Sequence, residues 1–121
     1  MKLKALAALA LFVAVDAGAA PACDAPKTTT ELMECSGEAF EQADARLNAS
    51  YRRLMSLLDE EGQRKLREAQ RAWIAFRDAN AAFAGDINRG GTAEGLNILG
   101  TRTRMTEERA SELDGEVGLR E

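Results

Sequence analysis

The chain has two cysteines, Cys23 and Cys35, and no histidine. Without imidazole it lacks the commonest general base and the commonest metal ligand. Ser50 and Ser56 therefore have no histidine to activate them, and two thiols alone make a poor zinc set. Carboxylates are plentiful. A glycosidase, however, needs two of them held at a defined separation across a cleft, and a narrow helical domain of this length has little room for one. Gly90-Gly91 is not a phosphate loop, because no strand precedes it and no Gly-Lys-Ser/Thr follows. No set of nucleophile, base and orienter emerges. The reading is a non-enzyme, with no catalytic residue, cofactor or metal site.

The remaining polar residues of interest sit beside apolar stripes: Asp44, Asn48, Gln70, Arg77 and Asp78. They suit two roles. Buried polar groups must be paired, so they could bond across helices and fix register; alternatively, some face a partner. Arg71, Arg77, Glu107 and Glu108 read as solvated or salt-bridged faces. The net charge of −4 gives no electrostatic reason to bind nucleic acid and would steer a cationic partner toward the chain.

Helices must position these residues. Thr28-x-x-Glu31 fits a capping box, although Thr29 or Thr30 could cap instead. Apolar residues then recur at helical spacing through Leu32, Phe40, Ala43, Leu47, Tyr51 and Leu54 to about Leu58. Asp59 is a good N-cap for a second helix, with Glu60 and Glu61 in its first turn. That helix runs to about Gly85, with Trp73 and Phe76 expected as its main core contact. Asn88-Arg89-Gly90-Gly91 marks the clearest break. Thr92 can cap a third helix, with interruptions expected near Gly95 or Gly100 and fraying over residues 115–118. No strand-like alternation is present. The expectation is an all-α fold, a small antiparallel bundle of about three helices.

The N-terminus reads as a secretory leader. Lys2 and Lys4 precede an apolar run from Ala5 to Val15, too short to span a bilayer, and Ala17-Gly18-Ala19 supplies a small-x-small cleavage signal. Residues 1–19 are thus expected to be a signal peptide, with a cut before Pro21 as the alternative, and residues 20–121 a helical domain. Its removal takes away two cations and one anion and moves the net charge from −4 to −5. A periplasmic or secreted location follows, with no membrane span. Lipidation at Cys23 would require a large aliphatic residue at position 20 and a small one at 21. Ala20 and Pro21 stand there, so a lipoprotein is disfavoured. In an oxidising compartment Cys23 and Cys35 form a disulfide by default, worth roughly 3 kcal/mol on the chain-entropy model.

Several fragments, taken in order, resemble the LprI-like family, whose N-terminal domain was long catalogued as DUF1311. They are Met33-Glu34-Cys35, Ala43-Asp44-x-x-Leu47-Asn48-x-x-Tyr51, and Ala69-Gln70-Arg71-Ala72-Trp73-Ile74-x-Phe76-Arg77-Asp78. Gly90-Gly91-Thr92 and Thr106-x-x-Arg109-x-x-x-Leu113 follow. The similarity runs from Cys23 to about Leu113. It implies an exported all-helical protein of bacterial envelopes and, from a lysozyme-inhibiting relative, inhibition of lysozyme as a candidate activity. The motif residues Asp44, Leu47, Asn48, Tyr51, Gln70, Trp73, Arg77, Asp78 and Arg109 are read as structural. Many relatives carry a second cysteine pair, at places corresponding to the neighbourhoods of Ala81 and Thr101, which this chain lacks. The 86–91 turn is then expected to be freer than in those relatives.

Two functions are carried forward. One is a protein partner of the lysozyme-type muramidase class, with Asn88, Arg89, Gly90 and Gly91 as the candidate binding turn. Arg89 would be the probe, since a guanidinium pairs bidentately with a carboxylate. The other is an envelope interaction module whose helical surface meets a different protein.

Overall fold

A computed structural model describes residues 23–121. The expected leader lies outside the described residues. Within them the chain forms three long helices: α1 (Thr29–Ser56), α2 (Glu60–Gly85) and α3 (Thr92–Gly118). A single 3₁₀ turn (Asp86–Asn88) continues from α2. There is no strand among the described residues.

Local chemistry sets the helix starts. The Glu31 N–H donates to Thr28 Oγ1 at 3.1 Å, while the Glu31 carboxylate accepts from the Lys27 N–H at 2.6 Å. The box expected at Thr28 therefore forms, with its return bond reaching one residue further back. Asp59 Oδ1 accepts from the Gly62 N–H at 2.8 Å and starts α2. Helix α1 stops at Ser56 rather than near Leu58. There the Gln63 side-chain amide donates to the Met55 and Leu58 carbonyls at 3.1 and 3.2 Å, closing the exposed end of α1. Gly91, not Thr92, is the N-cap of α3. The chain reaches it through Gly90 at φ 76°, a left-handed geometry that favours glycine.

Helix α3 is unbroken. Neither Gly95 nor Gly100 interrupts it, because an isolated glycine costs only about 1 kcal/mol and long-range packing outweighs that. Gly95 lies under the Met33 side chain of α1, where a Cβ would come within 3.7 Å of its terminal methyl carbon.

The helices run up, down and up, so α1 and α3 are parallel and α2 is antiparallel to both. Helix α3 packs along both neighbours, whereas α1 and α2 hardly touch each other. The core gathers on the α1–α3 side: Leu47 and Leu54 meet Ala110, Leu113 and Val117, with Tyr51, Leu58, Leu66 and Trp73 closing over them. Cys23 and Cys35 are disulfide-bonded with their Cα atoms 5.4 Å apart, which ties the lead-in segment to the first turns of α1. A domain with so small an apolar core gains from such a staple.

One core expectation fails. Trp73 packs on the core, but Phe76 is 61% exposed. The inward line of α2 runs through Leu66, Gln70, Trp73, Arg77, Ala81 and Gly85. Phe76 stands one residue before Arg77, about 100° around the helix, and points away.

Candidate functional site

The gap between α1 and α2 is filled by long side chains rather than by close helix packing. At its centre lies a stack of alternating rings and cations. The Arg77 guanidinium carbon sits 5.6 Å from the Phe40 ring centroid and 5.2 Å from that of Trp73. Arg109 lies 5.9 Å from the same Trp73 ring. The series Phe40, Arg77, Trp73, Arg109 thus draws on all three helices.

Hydrogen bonds hold the cations in place. Arg77 donates to Asp78 at 3.0 Å and to the fully buried Thr106 hydroxyl at 3.4 Å. Asp78 also faces Arg102 of α3 at 3.2 Å. Arg109 donates to the Gln70 side-chain carbonyl at 3.1 Å and to Glu112 at 3.0 Å. Arg77 is only 9% exposed and salt-bridged to Asp78, so of its expected roles the buried, paired one holds and the solvated face does not. A buried cation is tolerable only when its charge and N–H groups are engaged, and here two rings, a carboxylate and a hydroxyl do so. The arrangement fixes the register of α2 against α3 and engages the guanidinium groups of Arg77 and Arg109 within the protein.

Gln70, Trp73, Arg77, Asp78 and Arg109 are therefore brought together. Leu47 and Tyr51 belong to the apolar core beside them. Asp44 and Asn48 stand apart: Asn48 donates to Asp44 one turn away at 3.3 Å, within α1, and bridges no helices. Phe40, read only as part of the α1 stripe, and Thr106, read only within the family-like fragment, join the cluster, as does Arg102, which the sequence did not single out. Phe40 could have been found, since an aromatic on the α1 stripe is the natural lid for an arginine on the facing helix. A separate polar seam joins α1 to α3. The Ser50 hydroxyl donates to Asp114 at 2.5 Å and Arg46 reaches the same carboxylate at 3.3 Å. The Ser50 hydrogen bond, supplemented by the charge of Arg46, holds the Asp114 carboxyl below the usual carboxylate range.

The turn at Asn88, Arg89, Gly90 and Gly91 lies at the opposite end of α2 from the α1–α2 connection and is exposed throughout. It is internally tied. Arg89 pairs with Asp86 at 2.5 Å, the Gly90 N–H donates to Glu94 at 2.9 Å, and the Asn97 amide donates to Asn88. Just before it, α2 and α3 come so close that a Cβ on Gly85 would meet Ile98 at 2.6 Å. Packing thus closes this end of the fold.

An open cleft of about 360 Å³ lies between the helices near the α1–α2 connection, floored by Leu54, Leu58, Leu66 and Leu113. No group of three metal-ligating residues occurs among the described residues.

The family model described as lysozyme inhibitor LprI matches residues 21–113. The chain belongs to the LprI family. Its ring–cation stack is built from residues inside the matched span. An uncharacterized protein of Rhizobium meliloti is 31% identical to the LprI chain over 106 residues, covering 77% of this chain and 76% of the relative. No solved structure matches. Among the described residues of this LprI member, no helix is long and apolar enough to cross a membrane.

Proposed function

We propose that this chain is an exported binding protein that inhibits a lysozyme-type muramidase without catalysing a reaction. The observation that carries the reading is the LprI match across residues 21–113. The leader-like N-terminus supports export to the periplasm or beyond, where a muramidase would be met. The Cys23–Cys35 bridge engages the one sulfur that lipidation would need, which favours a protein free of a lipid anchor. The acidic balance of the chain would steer it toward a cationic enzyme.

The turn at residues 88–91 is the natural probe of a substrate cleft. Arg89 is 77% exposed and pairs only with Asp86, on its own turn. Such a surface pair is worth about 0–1 kcal/mol, so a carboxylate in a muramidase cleft could replace Asp86 at little cost.

The test is lysis of cell walls by several lysozyme types, with purified protein in rising molar excess. Slowed lysis by the parent, weakened about tenfold or more by Arg89→Ala, is expected. Unchanged lysis at large excess for every type would remove the inhibitor reading. Full inhibition by Arg89→Ala would move the contact away from the turn.

A further inference from the structure

Helix α2 carries a second apolar line, on the side turned away from α3. Ala72, Phe76, Ala79 and Phe83 recur at spacings of four, three and four residues, the rhythm of a coiled-coil seam. All four are exposed, as are the flanking Ala75 and Ala82. Phe76 is 61% exposed, Phe83 79%, and Ile87, just beyond them, 84%. No charged residue falls on the line, because Arg77 turns inward and Asp78 faces Arg102.

We propose that two copies of this chain pair through this line, with their α2 helices antiparallel. Side-chain size is the first argument. The line alternates small and large residues. In an antiparallel pair related by a two-fold axis, Phe76 faces Ala79 of the second copy and Phe83 faces Ala72 of the second copy. Every layer then sets a ring against a methyl group, and the alanines let the backbones approach closely. A parallel pair would set ring against ring and leave voids at the alanine layers. The second argument is area. The exposed portions of these residues amount to roughly 600 Å² per copy, at the upper end of the largest apolar patch that monomers leave bare. A pair would bury about 1,200 Å², the lower edge of what specific interfaces bury. The pairing does not depend on the muramidase reading.

The experiment is sedimentation of the purified protein across a concentration series, for the parent and for Phe83→Asp. Phe83 makes little contact within the chain, so the variant should keep the parent's melting temperature. A concentration-dependent dimer is expected, its dissociation constant raised at least about tenfold by Phe83→Asp. Nitroxides attached at position 75 and, separately, at position 68 read the orientation. The separation at 68 should exceed that at 75 by roughly 20 Å in the antiparallel pair. Equal separations would overturn the antiparallel arrangement. A parent that stays monomeric at every concentration, or a dimer indifferent to Phe83→Asp, would overturn the pairing. So would a monomeric parent whose muramidase inhibition is lost in Phe83→Asp, since the line would then be the enzyme's docking surface.

Discussion

Helix α3 is held on its two sides by different physics. Against α1 it presents Ala110, Leu113 and Val117, which interlock with Leu47 and Leu54. Against α2 it presents Thr106 and Arg109, which engage Arg77, Trp73 and Gln70. The first seam gains from removing apolar area from water and tolerates substitutions that conserve volume. The second depends on direction: a ring must lie over a guanidinium and a carboxylate must meet its N–H groups. The apolar seam supplies most of the stability, and the directional seam fixes how α2 lies.

Leu113→Ala should be among the most damaging changes on the apolar side. Leu113 is 2% exposed, and its truncation should cost about 3 kcal/mol, read as a lower urea midpoint. On the directional side, Arg77→Ala should cost about 2–3 kcal/mol, because Asp78 and Thr106 lose their shared donor inside the fold. Arg77→Met should cost less than Arg77→Ala, since it fills the space between the rings without a charge. Arg77→Lys should recover little, because an ammonium neither stacks flat nor forks to two acceptors. Near-equality of the Lys variant and the parent in urea titrations would mean that charge, rather than geometry, governs this seam.

The contrast also explains what the sequence could reveal. Thr28 and Asp59 could be read as caps because a cap depends on neighbours within one turn. The Leu47 and Leu54 stripe showed through helical periodicity, and Cys23 with Cys35 through compartment chemistry. Phe76 was misplaced because spacing from Trp73 leaves two adjacent lines on the helix. Only contact with α3 selects the line through Arg77. The ring partners of Arg77 were hidden for the same reason: they are Phe40 and Trp73, thirty-seven and four residues away in the chain. Of the candidate binding turn, the break and its glycines were legible, but the Arg89–Asp86 pairing is a matter of geometry.

Smaller effects would sharpen the comparison. Gly85→Ala should cost about 1–2 kcal/mol, because the added methyl meets Ile98 where α2 and α3 approach most closely. Gly100→Ala, on the same helix α3 but with nothing within 4 Å, should instead stabilise by up to about 1 kcal/mol. Thermal melts of the two variants should shift in opposite directions.

The smallest effect concerns the polar fringe of the apolar seam. The Asp114 carboxyl is held below its ordinary range, chiefly by the Ser50 hydroxyl, so its contribution is complete above the unfolded carboxylate value of about 4. It disappears as pH falls through the lower folded value. Ser50→Ala should therefore destabilise at neutral pH, and its difference from the parent should shrink on acidification. Denaturant titrations at pH 7 and pH 3 would check this, and a difference that stays constant would assign the effect to packing.

The order of the helices along the chain bears on when the protein can fold. The disulfide joins residues 12 apart and can close as soon as both cysteines reach an oxidant. The main core cannot, because Ser50 and Arg46 meet Asp114 across 64 and 68 residues. Helices α1 and α2 hardly touch, so the emerging hairpin has little to bury until α3 arrives. A chain built this way gains most of its packing only once α3 is in place, so truncations that remove α3 should leave α1 and α2 without a partner surface.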